Sequence, residues 1–240
     1  MLSIIIPARN EEKYLPLLLE SIKKQKFNDL EIILADNHSE DRTRDIAKDN
    51  GCKIIDGGYL AYARNQGTKY SKGNLLLFID ADIILPENFL LEAMDEFNHR
   101  NLDIAGTLQI PIPTEKIFKD LQYKVFYGIA NKTMLRMQNT KRPLMQVCMF
   151  IKKAVHYELN GFDETLTWAE DSEFAKRAVE NGRNFGILQS PPKVYISPRR
   201  FEDEGSMKLA LKFAYLNTAR LLGHEFRKGS RIIYDKNLYP

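Results

Sequence analysis

Asn74-Leu75-Leu76-Leu77-Phe78-Ile79-Asp80-Ala81-Asp82 is the stretch that decides the fold. A continuous apolar run of this kind marks a strand buried on both faces. Two aspartates flanking an alanine follow at once, so they fall at the strand's carboxyl end. Working outward, Leu2 to Ile6 is an apolar, β-branched run halted by Pro7, Leu30 to Ala35 is a second strand, and Lys53 to Ile55 a short third. Between them lie helical patterns. Residues 11–26 carry Leu15, Leu18, Leu19 and Ile22 at helical spacing, with Glu11 and Glu12 at the start and Lys23, Lys24 and Lys26 at the end, as the helix dipole favours. Residues 41–50 form a shorter helix closed by Gly51, residues 60–70 another, and Pro86 opens one that runs to about His99. This β-α-β-α-β-α-β order predicts an α/β fold: an open, mostly parallel central sheet flanked by helices.

The second half is less regular. Residues 102–110, 145–151 and 184–188 read as strands, and residues 115–137, 170–181 and 206–227 as helices. No repeat, low-complexity tract or flexible linker interrupts them. At 240 residues the chain suits one large domain, or a domain with an appended tail. An apolar content of 44% with 28% charged residues excludes wholesale disorder. The net charge of +3 is too small to argue for nucleic acid, and none is expected as a partner. Cys52 and Cys148 lie far apart without a CxxC context, which excludes a disulfide framework and a cysteine zinc site and fits a reduced, cytoplasmic compartment. The N-terminus lacks the basic region of a signal peptide, and no run of 18 apolar residues offers a membrane span.

Three strand ends are polar: Pro7-Ala8-Arg9-Asn10-Glu11-Glu12, Ala35-Asp36-Asn37-His38-Ser39-Glu40-Asp41, and Asp80-Ala81-Asp82. Each alone could be a cap or a turn. Together, along the carboxyl edge of one parallel sheet, they converge on one ligand. Carboxylates are the ligands hard divalent cations prefer, and such a cation shares its shell with water and substrate phosphates, so one or two aspartates and a diphosphate make a complete site. Neither GxGxxG nor GxxxxGK[ST] occurs; the phosphates are not held by a Rossmann or P-loop turn. Gly57-Gly58 reads as a turn.

These segments, with Ala63-Arg64-Asn65-Gln66-Gly67, Asn160-Gly161-Phe162-Asp163-Glu164 and Trp168-Ala169-Glu170-Asp171, resemble family 2 glycosyltransferases of the GT-A fold over residues 1 to about 200. The resemblance implies transfer of a sugar from a nucleoside diphosphate donor, UDP-sugar first and GDP-mannose next, to a hydroxyl acceptor that is lipid-linked, a saccharide or a small molecule. It matches Asp36 to the residue on the base, and Pro7, Ala8 and Glu11 to the loop lining base and ribose, with Arg9 and Ala81 also in the donor site. Arg64 matches a residue beside base and phosphates, Asp80 one near the ribose, and Asp82 the ligand of Mn²⁺ or Mg²⁺. Asp171 matches the general base, with Glu170 beside it. Inversion is the family's usual outcome. On this reading residues 1–204 are the glycosyltransferase domain, about 1–100 binding nucleotide and about 101–204 acceptor, and 205–240 a C-terminal helix and tail. A sugar nucleotidyltransferase would need a glycine-rich first loop, which is missing; an inactive nucleotide-sugar-binding scaffold is the rival outside enzymes.

Further residues stay open between roles. Trp168, the single tryptophan, could stack on an acceptor or merely pack. Ser197-Pro198-Arg199-Arg200-Phe201 resembles a segment of a small subset of the family and stands where many relatives carry a metal-binding histidine. One of its arginines, Arg199 or Arg200, is expected on the diphosphate, because neighbours in an extended segment point opposite ways. His99 and His156 are expected on helix surfaces, His38 in the donor loop, and Cys148 as a buried small residue. Residues 117–137 and the last helix mix apolar residues with lysines and arginines. Each could cover the sheet or lie on an anionic membrane at the cytoplasmic face. Oligomeric state is not legible.

Overall fold

In the computed structural model, residues 1–146 and 148–227 are described. The elements of the first half are β1 (Leu2–Ala8), α1 (Leu15–Lys23), β2 (Leu30–Asp36), α2 (Thr43–Asp49), β3 (Lys53–Asp56), α3 (Leu60–Tyr70), β4 (Leu75–Phe78), β5 (Ile83–Ile84) and α4 (Phe89–His99). Those of the second are β6 (Ile104–Gly106), β7 (Gln109–Pro111), α5 (Ile117–Met137), β8 (Met149–Lys152), α6 (Lys153–Glu158), α7 (Glu170–Glu180), β9 (Phe185–Ile187), β10 (Val194–Ile196), α8 (Arg199–Glu204) and α9 (Ser206–Leu221).

The central sheet has seven strands in the order β3-β2-β1-β4-β8-β6-β9. β3, β2, β1 and β4 are mutually parallel, β8 runs antiparallel between β4 and β6, and β9 is parallel to β6. The expected α/β sheet is thus present and mostly parallel. β1 continues through Pro7 rather than halting at it. The pairing with β4 ends where Ile79 N–H donates to Ile5 O, while Asn37 N–H still bonds Ala8 O on the β2 side. The N–H that proline lacks therefore has no ladder partner to serve.

The two faces of β1 explain the unbroken apolar runs. Ile4 and Ile6 pack with Leu15, Leu18 and Leu19 of α1 and Phe89 of α4. Ile5 packs on the other side with Ala61, Phe78, Phe162 and Phe174. Each such side chain, wholly removed from water, contributes about 1.5–3 kcal/mol. Gly67 lets α3 approach β1: a Cβ there would lie 2.3 Å from Ile5 Cγ2.

A second sheet, β5-β10-β7, was not foreseen as a unit. Residues 102–110 are two strands rather than one. The chain changes partners between Gly106, which accepts from Leu188 N–H, and Leu108, which accepts from Val194 N–H. His156 is not on a helix surface. α6 turns it inward among the rings of Phe78, Phe162 and Phe174, and burial lowers its pKa to about 4. His99 is exposed, and Cys148 is buried as expected. The last helix ends at Leu221 instead of Arg227, with Gly223 at φ +97° just beyond. Val147 of the 145–151 segment, Lys228 and the tail to residue 240 lie outside the described residues.

Candidate active site

The loops after β1 and β2 are stitched to each other. Asn10 N–H donates to Ser39 Oγ (3.0 Å), Glu40 N–H to Asn10 Oδ1 (2.8 Å), Glu11 N–H to Thr43 Oγ1 (2.7 Å) and Glu12 N–H to Asp41 Oδ2 (3.0 Å). Short polar side chains closing on backbone groups hold both loops without a glycine-rich turn. Asp36, at the end of β2, is 1% exposed. Its Oδ2 accepts from Arg44 Nη1 (2.9 Å) and Ser39 N–H (3.3 Å). Its Oδ1 is buried with no partner among the described residues, an acceptor left for an N–H from outside.

β5 follows Asp82 directly and pairs with β10, so Ser197 N–H donates to Asp82 O (3.1 Å) and α8 begins above the aspartate. Arg199 then grips Glu11 with both terminal nitrogens (2.8 and 2.7 Å), places Nε 3.1 Å from Asp82 Oδ2, and lies over the Tyr14 ring. Burial pushes the Glu11 and Asp82 carboxyls above the ordinary range, and the Arg199 guanidinium pulls both back. Arg199 and Arg200 do not stand on an extended segment but in the first turn of α8. Arg199 goes to the two carboxylates, and Arg200 lines a cavity with Asp82 and Tyr127.

Arg64 of α3 is 1% exposed and joins two acids from distant parts of the chain. One terminal nitrogen donates to Glu170 Oε1 and the other stands 3.5 Å from Asp80 Oδ1. The Phe162 ring covers it at 5.6 Å. Neighbouring Asn65 locks the opposite loop: its side chain donates to Phe162 O and Glu164 Oε1 and accepts from Phe162 N–H. Gly161, at φ +70°, has no room for a Cβ, which would lie 2.6 Å from Asn65 Oδ1.

Glu170 and Asp171 open α7, after Ala169 in the left-handed region at φ +56°. A non-glycine residue there is held by its surroundings against an intrinsic cost. The helix N-terminus favours both negative charges. Even so, burial and the adjacent Glu170 carboxylate raise the Asp171 pKa above the ordinary range, against the pull of Arg64, the Ser172 N–H and Arg220. A carboxyl so raised can take a proton near neutral pH.

One cavity of about 540 Å³ unites these parts. Arg64, Asp80, Asp82, Glu170, Asp171 and Arg200 line one end. Trp168 lines it too, its ring edge-on to Phe213 at 4.9 Å. Pro7, Ala8, Arg9, Glu11, Asp36 and Ala81 do not line it; they belong to the adjoining ends of β1, β2 and β4. Arg199 does not line it either, and joins Glu11 to it only by way of Asp82. Among the described residues, no three of His, Cys, Asp or Glu stand together as a metal shell. Asp80 and Asp82 are the hard oxygen donors at hand. Sequence reasoning missed the walls that α5 and α9 contribute, and Arg220, whose Nη2 donates to Pro143 O and Ser172 O and so ties α9 to α7. A lone arginine in an amphipathic helix carries no signal of that tie.

Comparison with known proteins agrees with this architecture. The chain is 40% identical over 131 residues to the 4,4'-diaponeurosporenoate glycosyltransferase of Staphylococcus haemolyticus, covering 51% of this chain and 34% of that protein. It is 24% identical over 219 residues to the poly(ribitol-phosphate) beta-N-acetylglucosaminyltransferase TarS of Staphylococcus aureus, covering 85% of this chain and 37% of that one. The chain spans less than two thirds of the length of either relative. Among solved structures, S. aureus TarS 1-349 in complex with UDP-GlcNAc superimposes with a TM-score of 0.65 at 22% identity, covering 82% of this chain and 58% of that one. A Pyrobaculum calidifontis mannosyltransferase in complex with GDP-Man and Mn²⁺ gives a TM-score of 0.62 at 18% identity, covering 82% and 56%. At such identities these likenesses speak for the fold, which is GT-A. The family model for glycosyl transferase family 2 matches residues 3–159, about two thirds of the chain, and the chain belongs to that family of glycosyltransferases.

Proposed function

We propose that this glycosyltransferase moves a sugar from a nucleoside diphosphate donor, UDP-sugar first and GDP-mannose next, to a hydroxyl acceptor with inversion, Asp171 acting as general base. The observation that carries this is the single cavity joining Asp80 and Asp82, at the end of β4, to Asp171 at the start of α7. The acceptor O–H gives its proton to the Asp171 carboxylate as its oxygen bonds the anomeric carbon. The bond from that carbon to the diphosphate breaks on the opposite face, and its electron pair stays with the phosphate oxygen. Arg200, lining the same cavity as Asp82, faces the charge that develops there. Glu170, fixed by Arg64, orients the guanidinium rather than taking the proton. The free Oδ1 of Asp36 supports a base N–H contact at the edge of the sheet.

The donor set fits a divalent cation in part: two aspartates supply hard oxygens, and the rest of the shell would come from diphosphate and water. Asp82, with Asp80 beside it, would hold Mn²⁺ or Mg²⁺, which when bound supplies Lewis-acid stabilisation of the departing diphosphate. Buried Asp82 already takes a cationic partner in Arg199, which marks it as a carboxylate that wants positive charge nearby. Calorimetry of UDP and GDP, each with and without Mn²⁺, on wild type and Asp82→Ala tests the assignment. Metal-dependent binding of one nucleotide, weakened in the variant, is expected; no binding of either nucleotide under any condition would overturn the reading.

Among the described residues, no helix is long and apolar enough to cross a membrane. The free cysteines fit a reducing, cytoplasmic setting. Peripheral contact with the inner leaflet is supported by the outward rows of α5 (Phe118, Leu121, Val125, Ile129) and α9 (Met207, Leu211, Tyr215), all more than half exposed. Failure to float with anionic vesicles at low salt would dismiss that contact.

A further inference from the structure

The cavity is asymmetric in chemistry, and its second end is unexplained by sugar transfer alone. Away from the acids its walls are mostly apolar, with Phe126, Ile129, Ala130 and Met134 contributed by α5 and Phe213 and Ala214 by α9. A volume of about 540 Å³ is ample for a ligand as well as a reacting group, since binding pockets commonly span about 300–1,000 Å³. The apolar end is also open. Ile129 and Leu221 both line the cavity, yet Ile129 is 62% and Leu221 41% exposed, so they form its rim. The outward apolar rows of the two helices begin beside that rim: Leu121 and Val125 precede Ile129 on one face of α5, and Met207 and Leu211 flank Ala210 and Ala214 on α9. Exposed Lys132 and Arg136 follow on the α5 face, and Lys208 on α9. Inside, Trp168 Nε1 and Gln146 Oε1 are buried without a partner among the described residues, and both residues line the cavity. An apolar passage thus leads from an apolar, basic-edged exterior to two unspent polar groups and a proton acceptor.

We infer that the acceptor is an amphiphile: its hydrocarbon tail lies between α5 and α9, and its hydroxyl reaches Asp171. This rests on the glycosyltransfer reading and names the acceptor class for it. The passage suits a tail because the wall between the helices is mostly apolar, and of its polar members Thr133, Lys212 and Asn217 are already bonded to Ile129 O, Glu204 and Phe213 O, leaving little to receive the hydroxyls of a saccharide chain. The tail's polar end meets the indole N–H and the Gln146 carbonyl, and the open rim lets the remainder stay in a lipid surface while the head reacts. The chemistry at the anomeric carbon is unchanged, with the tail serving only to bind and orient.

Trp168 is the single tryptophan of the chain, which makes the test direct. A maltoside carrying a dibrominated dodecyl chain is titrated below its micelle concentration, with its unbrominated form and methyl maltoside as controls, and UDP and GDP binding are measured on the same preparations. Saturable quenching by the brominated chain is expected, with none from either control. Ala130→Phe and Ala214→Phe, which fill the cavity from opposite walls, should each weaken it about tenfold or more. Absence of quenching in a protein that binds nucleotide would overturn the tail site while leaving sugar transfer in place. Quenching that both variants leave intact is adsorption to the outer face, and overturns it too. If neither nucleotide binds, the transfer reading fails and this inference fails with it. As an independent readout, turnover of dodecyl over methyl maltoside should be favoured at least about tenfold, and equal turnover would count against the tail.

Discussion

The carboxyl edge of β1, β2 and β4 and the walls of α5 and α9 meet in one site but are built on opposite principles. At the sheet edge nearly every polar group is already committed: Asn10, Glu11 and Glu12 are bonded to the loop after β2, and Glu11, Arg199 and Asp82 form a charged chain. Between the helices the surface is mostly apolar, and at its inner end Trp168 Nε1 and Gln146 Oε1 are left unpaired among the described residues. A polar lattice held this rigidly discriminates through the group it leaves unspent, since a ligand without an N–H for the buried Asp36 Oδ1 leaves that atom unpaired. An apolar wall binds through area and distinguishes neighbours in a series only weakly. On the proposed reading, the sheet edge is thus suited to one polar ligand class, and the helical half to a range of related tails. Arg64 is the tie between them, reaching Asp80 on one side and Glu170 on the other.

Asp171→Asn separates the halves most sharply. It keeps the shape of the side chain and removes the proton acceptor, so kcat should fall by roughly 10²–10⁴. Nucleotide affinity by calorimetry should stay within about twofold, since the proposed role of Asp171 is toward the acceptor. Equal turnover in variant and wild type would take Asp171 out of the chemistry. Arg64→Leu breaks the tie itself. Glu170, 8% exposed, loses its cation, and Asp80 loses part of its own. Removing one partner of a buried ion pair costs about 3–5 kcal/mol. The lower end, about 3 kcal/mol, is expected in urea unfolding because Asp80 is partly exposed. Both nucleotide binding and turnover should suffer, unlike in Asp171→Asn. A variant as stable as wild type would show that the halves are held together elsewhere, with Asn65 and its bonds to Phe162 and Glu164 the next place to look.

The first half was legible because two physical signals coincide there. Runs such as Leu75 to Ile79 are apolar throughout since both faces are covered, and parallel topology then puts Asp80 and Asp82 at the ligand edge. What escaped has equally plain causes. β5 and β10 have two and three residues, too few to show a period, yet their pairing brings Arg199 to Glu11, 188 positions away. α5 is apolar on opposite faces at once: Tyr123, Tyr127 and Met134 are buried while Leu121, Val125 and Ile129 are exposed. Its pattern therefore could not say which side meets the protein, nor that a third face lines a cavity. His156 sits in a six-residue helix, where a single position has no pattern around it to reveal its burial. The boundary at residue 204 followed the extent of the resemblance; α9, beyond it, supplies a wall of the cavity and is tied to α7 through Arg220.

The smallest expected effect concerns stability rather than rate. Burial and the Glu170 carboxylate raise the Asp171 pKa in the folded chain, outweighing Arg64 and Arg220. The folded state then binds this proton more tightly than the unfolded state does. The resulting stabilisation is full below the ordinary carboxylate pKa and is lost as pH rises through the folded-state value. Asparagine does not titrate. Asp171→Asn should therefore unfold at higher urea than wild type at pH 8, by about 1–2 kcal/mol, with the difference shrinking towards pH 5. In the same window wild-type kcat should rise with pH, with its half-point above the ordinary carboxylate range, because only the ionised form accepts the acceptor's proton. A stability difference that stays flat from pH 5 to pH 8 would mean that Asp171 is ionised as easily in the folded chain as in the unfolded one. The opposed slopes of stability and rate express one cause. The Asp171 carboxyl is held where water is scarce, which costs the fold at neutral pH and makes it the better base that the proposed mechanism calls for.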